Sequence, residues 1–163
     1  MLSVYRELLA QKHGIFLKPV VLFKSERKEL SRNNQEKFNQ MLENLRGYEI
    51  SEFYKNIDLS HELFYNSLKF FESEFEDYEN SVAEFIKVSF KTNFQLNAND
   101  DNEADKNQIL LNSLEDKENE IRAIFAVDRL NEGWDVLNLY DIVRLNEKRG
   151  AKKFTTTKEE QLI

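Results

Sequence analysis

The sequence predicts an α/β fold with a mostly parallel sheet covered on both faces. Three observations predict it. Residues 18–25 (KPVVLFKS) form a compact apolar run bounded by Pro19 and Ser25, as expected of a strand buried on both sides. Residues 121–127 (IRAIFAV) form a second such run. Between them the chain is polar, rich in helix formers and patterned with a helical period. The order strand, helices, strand, helix, strand, strand, helix is that of strands joined by crossovers in one sheet.

Taken in order, residues 3–12 read as a short helix that Gly14 stops. The strand at 18–25 follows. Residues 26–46 contain neither Gly nor Pro, and Leu30, Phe38, Met41, Leu42 and Leu45 fit one helical stripe, with Gly47 as its end. Residues 48–60 have no clear period. Ser60 is a fair N-cap for a helix to about residue 75, with Leu63, Phe64, Leu68 and Phe71 on one face. Residues 81–90 repeat that pattern with Val82, Phe85, Ile86 and Phe90. The interval 48–92 is more helical than a minimal α/β unit needs, so a helical insertion is expected there. A short strand at 94–97, an acidic loop at 97–105 and a helix at 104–114 precede the strand at 121–127. Residues 141–145 read as another strand, and 147–153 as a basic loop. Thr157 and Glu160 form a capping-box pattern for a last helix.

Composition narrows the function classes. A chain of 163 residues with 40% hydrophobic residues can bury one real core. Thirteen Phe must fill much of it. Cys is absent, which removes disulfides and thiolate metal sites, and the two His stand in unrelated contexts. No apolar stretch is long enough to cross a membrane and no secretory signal pattern opens the chain, so a cytoplasmic protein with no membrane partner is the simplest reading. The net charge of −7 argues against a nucleic-acid binder that uses its whole surface, but not against a local basic stripe. The four Gly are isolated, so no Gly-x-x-x-x-Gly-Lys-Ser/Thr phosphate loop exists. No Ser-His-Asp or Cys-His set is visible either.

The chemistry-bearing residues gather after the strand at 121–127. Asp128, Asn131, Glu132, Gly133 and Asp135 follow within eight positions of its end. In open α/β sheets that edge is where ligands bind. Gly133 permits a close backbone approach, and Asp135 offers a carboxylate to a ribose hydroxyl. Plainer readings stand beside these. Trp134 suits packing, Asp128 suits a cap, and Glu132 and Asp135 without the surrounding pattern are solvated loop acids. Arg144, Lys148, Arg149, Lys152 and Lys153 form either a solvated basic surface or a DNA track.

Residues 126–145 (AVDRLNEGWDVLNLYDIVRL) resemble the fifth helicase motif of superfamily 2 motors, in the form found in Res subunits of Type III restriction–modification enzymes. Gly133 and Asp135 stand at the places of the Gly and Asp in the Ala-Thr-Asp-x-x-x-Arg-Gly-Ile-Asp pattern of DEAD-box proteins. Residues 18–25 resemble the fourth motif. Residues 157–163 resemble the opening of the sixth, usually Gln-x-x-Gly-Arg-x-x-Arg, and Gln161 is its Gln. The resemblance implies one RecA-like three-layer domain over 1–163, the second motor domain of such an enzyme, truncated inside the sixth motif.

It further implies that Gly133, Asp135 and Gln161 serve the nucleotide, and that Lys24, Ser25, Asn131 and Glu132 lie toward DNA. ATP and Mg would be bound mainly by a first RecA-like domain of the same polypeptide. Double-stranded DNA and a methyltransferase (Mod) subunit would be the other partners. The parent would be an ATP-dependent site-specific endonuclease and this fragment alone would be inactive. Val127 departs from the pattern, standing where many relatives carry Thr. Two further readings stay open: the half-motor of another superfamily 2 helicase acting on DNA or RNA, and a non-enzymatic α/β interaction module.

Overall fold

The computed structural model describes residues 1–99, 104–127 and 136–145. The elements are α1 (Leu2–Lys12), β1 (Val20–Ser25), α2 (Lys28–Asn44), α3 (Gly47–Asn56), α4 (Glu62–Glu74), α5 (Tyr78–Ser89), a short 3-10 turn, β2 (Gln95–Asn97), α6 (Ala104–Asn112), β3 (Ala123–Val127) and β4 (Leu139–Leu145). The expected basic loop at 147–153 and the last helix from 157 lie outside the described residues.

The four described strands form one sheet in the order β2-β3-β1-β4, and every pairing is parallel. The two expected apolar runs are its central strands. Alternation along β1 explains why both faces are apolar. Val21 and Phe23 join one core, with Ala123, Phe125 and Val143 from the neighbouring strands and the apolar sides of α1 to α5. Val20 and Leu22 join the other, with Ile124, Ala126 and Leu139, under Leu111 and Leu114 at the end of α6 and beyond it. The result is the three-layer α/β arrangement that the sequence predicts.

Local chemistry sets the helix ends. Gly14 takes a left-handed φ of +70°. Its N–H donates to the Gln11 carbonyl and that of Ile15 to the Ala10 carbonyl, both at 2.9 Å, which is the Schellman end the glycine predicts. Gly47 behaves differently from expectation. It opens α3 rather than closing α2, and a Cβ on it would sit 2.6 Å from Asn80 Oδ1. Its value is therefore close approach of α3 to α5, with its N–H donating to that same Oδ1 at 3.2 Å. Asp77 caps α5 by accepting from the Asn80 N–H. Ser60 does not cap α4: its N–H donates to Asp58 Oδ1 in a turn, and His61 is the N-cap residue.

The interval without a clear period contains α3. Its helical period is set by Ile50 and Tyr54, which are buried, and Phe53, which packs on the same core. The helices α3 to α5 fill the expected 48–92 interval and share the core of the sheet's α2 face. Met41 departs from the expected stripe, since it is 70% exposed while Phe38, Leu42 and Leu45 turn inward.

Tyr54 is buried with its hydroxyl 2.9 Å from Ser67 Oγ. Burial pushes its pKa up to about 12, partly offset by the Ser67 hydrogen bond. The folded state thus holds a proton that the unfolded chain releases near its ordinary value of 10.0. By linkage, stability present below that value is lost as pH rises toward about 12. Thermal melts across this window should show the loss, and Tyr54→Phe should flatten it. An equally steep decline in Tyr54→Phe would assign the effect to other groups.

Candidate nucleotide and nucleic-acid edge

The site is built where two central strands end side by side. Parallel pairing places Ser25, the last residue of β1, opposite Val127, the last of β3. The chain leaves β1 into α2, on one face of the sheet. The connection from β3 to β4 ends on the other face. There Asn138 Nδ2 donates to the Leu114 carbonyl at 2.6 Å, the Leu137 N–H donates to Glu115 at 2.7 Å, and Val136 joins the α6-side core. Adjacent strands whose connections part to opposite faces make a topological switch point, the usual place for a ligand crevice in an open parallel sheet.

The residues expected to serve this edge fall into two groups. Lys24 and Ser25 are described, and both are buried, at 6% and 4% exposure. Lys24 lies on the face of Val20 and Leu22. Ser25 lies on the opposite face, where its Oγ accepts from Asn34 Nδ2 of α2 at 3.0 Å. Asn131, Glu132, Gly133, Asp135 and Gln161 lie outside the described residues, as do Asp128 and Trp134. Residues 128–135 are flanked by Val127, which ends β3, and by Val136, buried on the α6 side.

Sequence reasoning missed a set of buried and half-buried amides beside this edge. Gln95, Asn97 and Asn99 alternate with Leu96 and Ala98, so the amides face α2 while Leu96 faces the other core. On α2, Ser31, Gln35 and Asn39 recur at helical spacing and meet them. Asn97 Nδ2 donates to Gln35 Oε1 at 2.9 Å, Gln35 Nε2 to Gln95 Oε1 at 3.2 Å, and Gln95 Nε2 to Asn39 Oδ1 at 2.6 Å. Asn99 Nδ2 donates to Ser31 Oγ at 2.9 Å. The signal was present in the sequence as two polar stripes of matching chemistry, one with period two and one with the helical period. Each alone looks like a solvated face.

The outer edge of β2 is blunted by the same chemistry. The Asn97 carbonyl accepts from Asn107 Nδ2 at 3.3 Å and the Gln95 N–H donates to the Thr92 carbonyl. This strand is thus a poor template for an added one.

At the opposite end of the sheet, charge ties α1 in place. Arg122 donates to both Glu7 oxygens, at 3.0 and 2.6 Å, and its Nε donates to the Pro19 carbonyl at 3.1 Å. Lys18 donates to the Asp116 carbonyl, and burial, with Arg122 nearby, lowers its pKa.

No family model and no solved structure matches the chain. A probable Type III restriction–modification enzyme Res subunit of Haemophilus influenzae is 35% identical to it over 161 aligned positions, which take in 88% of this chain. The chain is similar to a Type III Res subunit. It spans 31% of that relative's length. The Res resemblance that the sequence carries in residues 126–145 therefore holds over most of the chain. No helix among the described residues is long and apolar enough to cross a membrane.

Proposed function

We propose that this chain is the second RecA-like motor domain of an ATP-dependent DNA translocase of the Type III restriction kind. It would work against a first motor domain of the same polypeptide, with double-stranded DNA and a methyltransferase (Mod) subunit as partners. The observation that carries the reading is the 35% identity to a Res subunit over 88% of the chain. The switch point at Ser25 and Val127 supports it, because residues 128–135 follow Val127 directly in the chain.

In this reading Gly133, Asp135 and Gln161 serve the nucleotide, and Asn131 and Glu132 stand between nucleotide and DNA. Lys24 and Ser25 lie beneath the DNA-facing edge and hold the end of β1. Among the described residues no three His, Asp or Glu side chains gather into a cation cage. ATP would be shared at this edge with a first domain, which would hold the phosphates and Mg. ATP hydrolysis would supply the energy for movement along DNA or for signalling. This chain's share is to orient the ribose side, exclude water on closure and grip the DNA backbone.

Two measurements test the proposal. The intact polypeptide should hydrolyse ATP faster when double-stranded DNA is added. The chain alone should not hydrolyse ATP, and it should bind DNA weakly, with affinity falling as salt rises. Hydrolysis by the chain alone above control preparations would overturn the half-motor reading. Stimulation of the intact polypeptide by RNA and not DNA would point to a different superfamily 2 motor.

A further inference from the structure

The end of β3 has an unusual partner. β2 runs out at Asn97, opposite Phe125, two residues before β3 itself ends. Past the strand the Ala98 N–H still donates to the Phe125 carbonyl at 3.0 Å, and from there the side chain of Asn99 takes over. Its Oδ1 accepts from the Val127 N–H at 2.9 Å, and its Nδ2 lies 3.2 Å from the Phe125 carbonyl. The same Nδ2 reaches Ser31 Oγ and Asn97 Oδ1, both at 2.9 Å.

An amide carries both donors and acceptors, which this position requires. A carboxylate could accept from Val127 but could not donate to Phe125, and a hydroxyl could not span both. The two backbone partners also fix which way the amide faces. Asn99 is 5% exposed and lies two residues beyond the end of β2. Through Ser31 it joins the last residue of β3 to the first turns of α2. Asn34, one turn further along α2, holds Ser25 at the end of β1. One helix therefore ties both strand ends at the switch point.

We propose that Asn99, braced by Ser31, is a positioning residue that sets where the chain leaves β3 relative to β1, and that turnover depends on it. This rests on the motor-domain reading above. A shift of about 1 Å in a group remote from the chemistry can cost up to about a hundredfold in rate. Asn99 acts through the Val127 backbone, so its loss should slow the committed step more than it weakens ATP capture.

The structure also supplies a control. Asn119 is another buried amide, at 6% exposure. It holds the turn before β3 by donating to the Leu110 carbonyl at 2.7 Å and accepting from the Ile121 N–H at 2.9 Å. It touches neither Val127 nor α2. A purely structural role predicts that Asn99→Ala and Asn119→Ala behave alike.

The experiment uses the intact polypeptide and reads DNA-stimulated ATP turnover, with kcat and KM separated, beside hydrogen exchange of a peptide covering 123–136. Asn99→Ala should lower kcat about tenfold with KM for ATP moving less than about threefold, and should speed exchange at the end of β3. Asn119→Ala should leave kcat within about twofold. Ser31→Ala should give a smaller loss in kcat of about threefold, and it carries the test if Asn99→Ala fails to fold. Equal kcat values in folded Asn99→Ala and Asn119→Ala would overturn the positioning role while leaving the motor reading intact. If Ser31→Ala has to stand in, wild-type kcat in that variant has the same meaning. A wild-type polypeptide with no DNA-stimulated turnover would overturn the motor reading itself, and this proposal with it.

Discussion

Asp135→Ala in the intact polypeptide should abolish or severely reduce ATP turnover while leaving the fold in place. The expectation follows from where the residue stands in the chain. It comes two positions after Gly133 in residues 128–135, which follow Val127, the end of β3 beside the end of β1. A carboxylate there can accept from a ribose hydroxyl across an inter-domain cleft. A hydrogen bond to an ionised acceptor contributes about 1.5 to 3 kcal/mol. Its loss through binding alone corresponds to about a ten- to hundredfold effect. Turnover should fall further if closure of the two domains also depends on it. Val136, the next residue, is already anchored in the α6-side core, so the change should cost stability no more than about 1 kcal/mol. The check is kcat and KM for ATP beside a thermal melt. Wild-type turnover in a folded Asp135→Ala enzyme would reject the assigned role. A variant that simply unfolds would make Asp135 a structural cap.

Much of the scaffold for this test was legible in the sequence, and the reason is physical. A strand buried on both faces must be apolar throughout, so 18–25 and 121–127 stand out against a polar chain. Parallel pairing of those two runs then follows from the helices between them. Helix ends were less legible. Gly14 and Gly47 look alike in sequence, yet one supplies a left-handed φ and the other a missing Cβ beside Asn80. Which of the two a glycine supplies depends on a neighbour 33 residues away. Ser60 failed as a cap because α4 starts at Glu62 with His61 as its N-cap residue, and both the hydroxyl and the N–H of Ser60 turn back to Asp58.

The candidate site divides the same way. Residues 128–135 stand out in sequence because their order resembles a known motif. The amide set was not found, because Ser31, Asn97 and Asn99 have meaning only once β2 lies against α2. Lys24 and Ser25 were placed correctly at a strand's carboxyl end, but sequence gave no sign that both would be buried there.

The tie between α1 and the sheet was invisible in sequence for a similar reason, and it carries the largest expected loss of stability. Glu7 and Arg122 are 115 residues apart and meet as a bidentate ion pair. The Arg122 side chain is 7% exposed and that of Glu7 is 19% exposed. That asymmetry decides which partner is costlier to remove. Arg122→Ala leaves a carboxylate that can turn toward water. Glu7→Ala leaves a guanidinium that cannot, pinned by its bond to the Pro19 carbonyl and by the Phe90 ring 5.6 Å away. Breaking one side of a buried pair costs about 3 to 5 kcal/mol. Glu7→Ala should therefore fall in that range, measured as a drop in unfolding free energy by denaturant titration, and Arg122→Ala should cost less. The pair Glu7→Ala with Arg122→Met should recover much of the loss, because no charge is then left buried without a partner and the methionine can still pack on Phe90. With Arg122→Met also measured singly, losses that simply add in the double variant would show that the pair is solvated in the folded protein. The attachment of α1 would then rest on Val4 and Tyr5 in the apolar core and on the Ser3 and Arg6 bonds to Asp141 of β4.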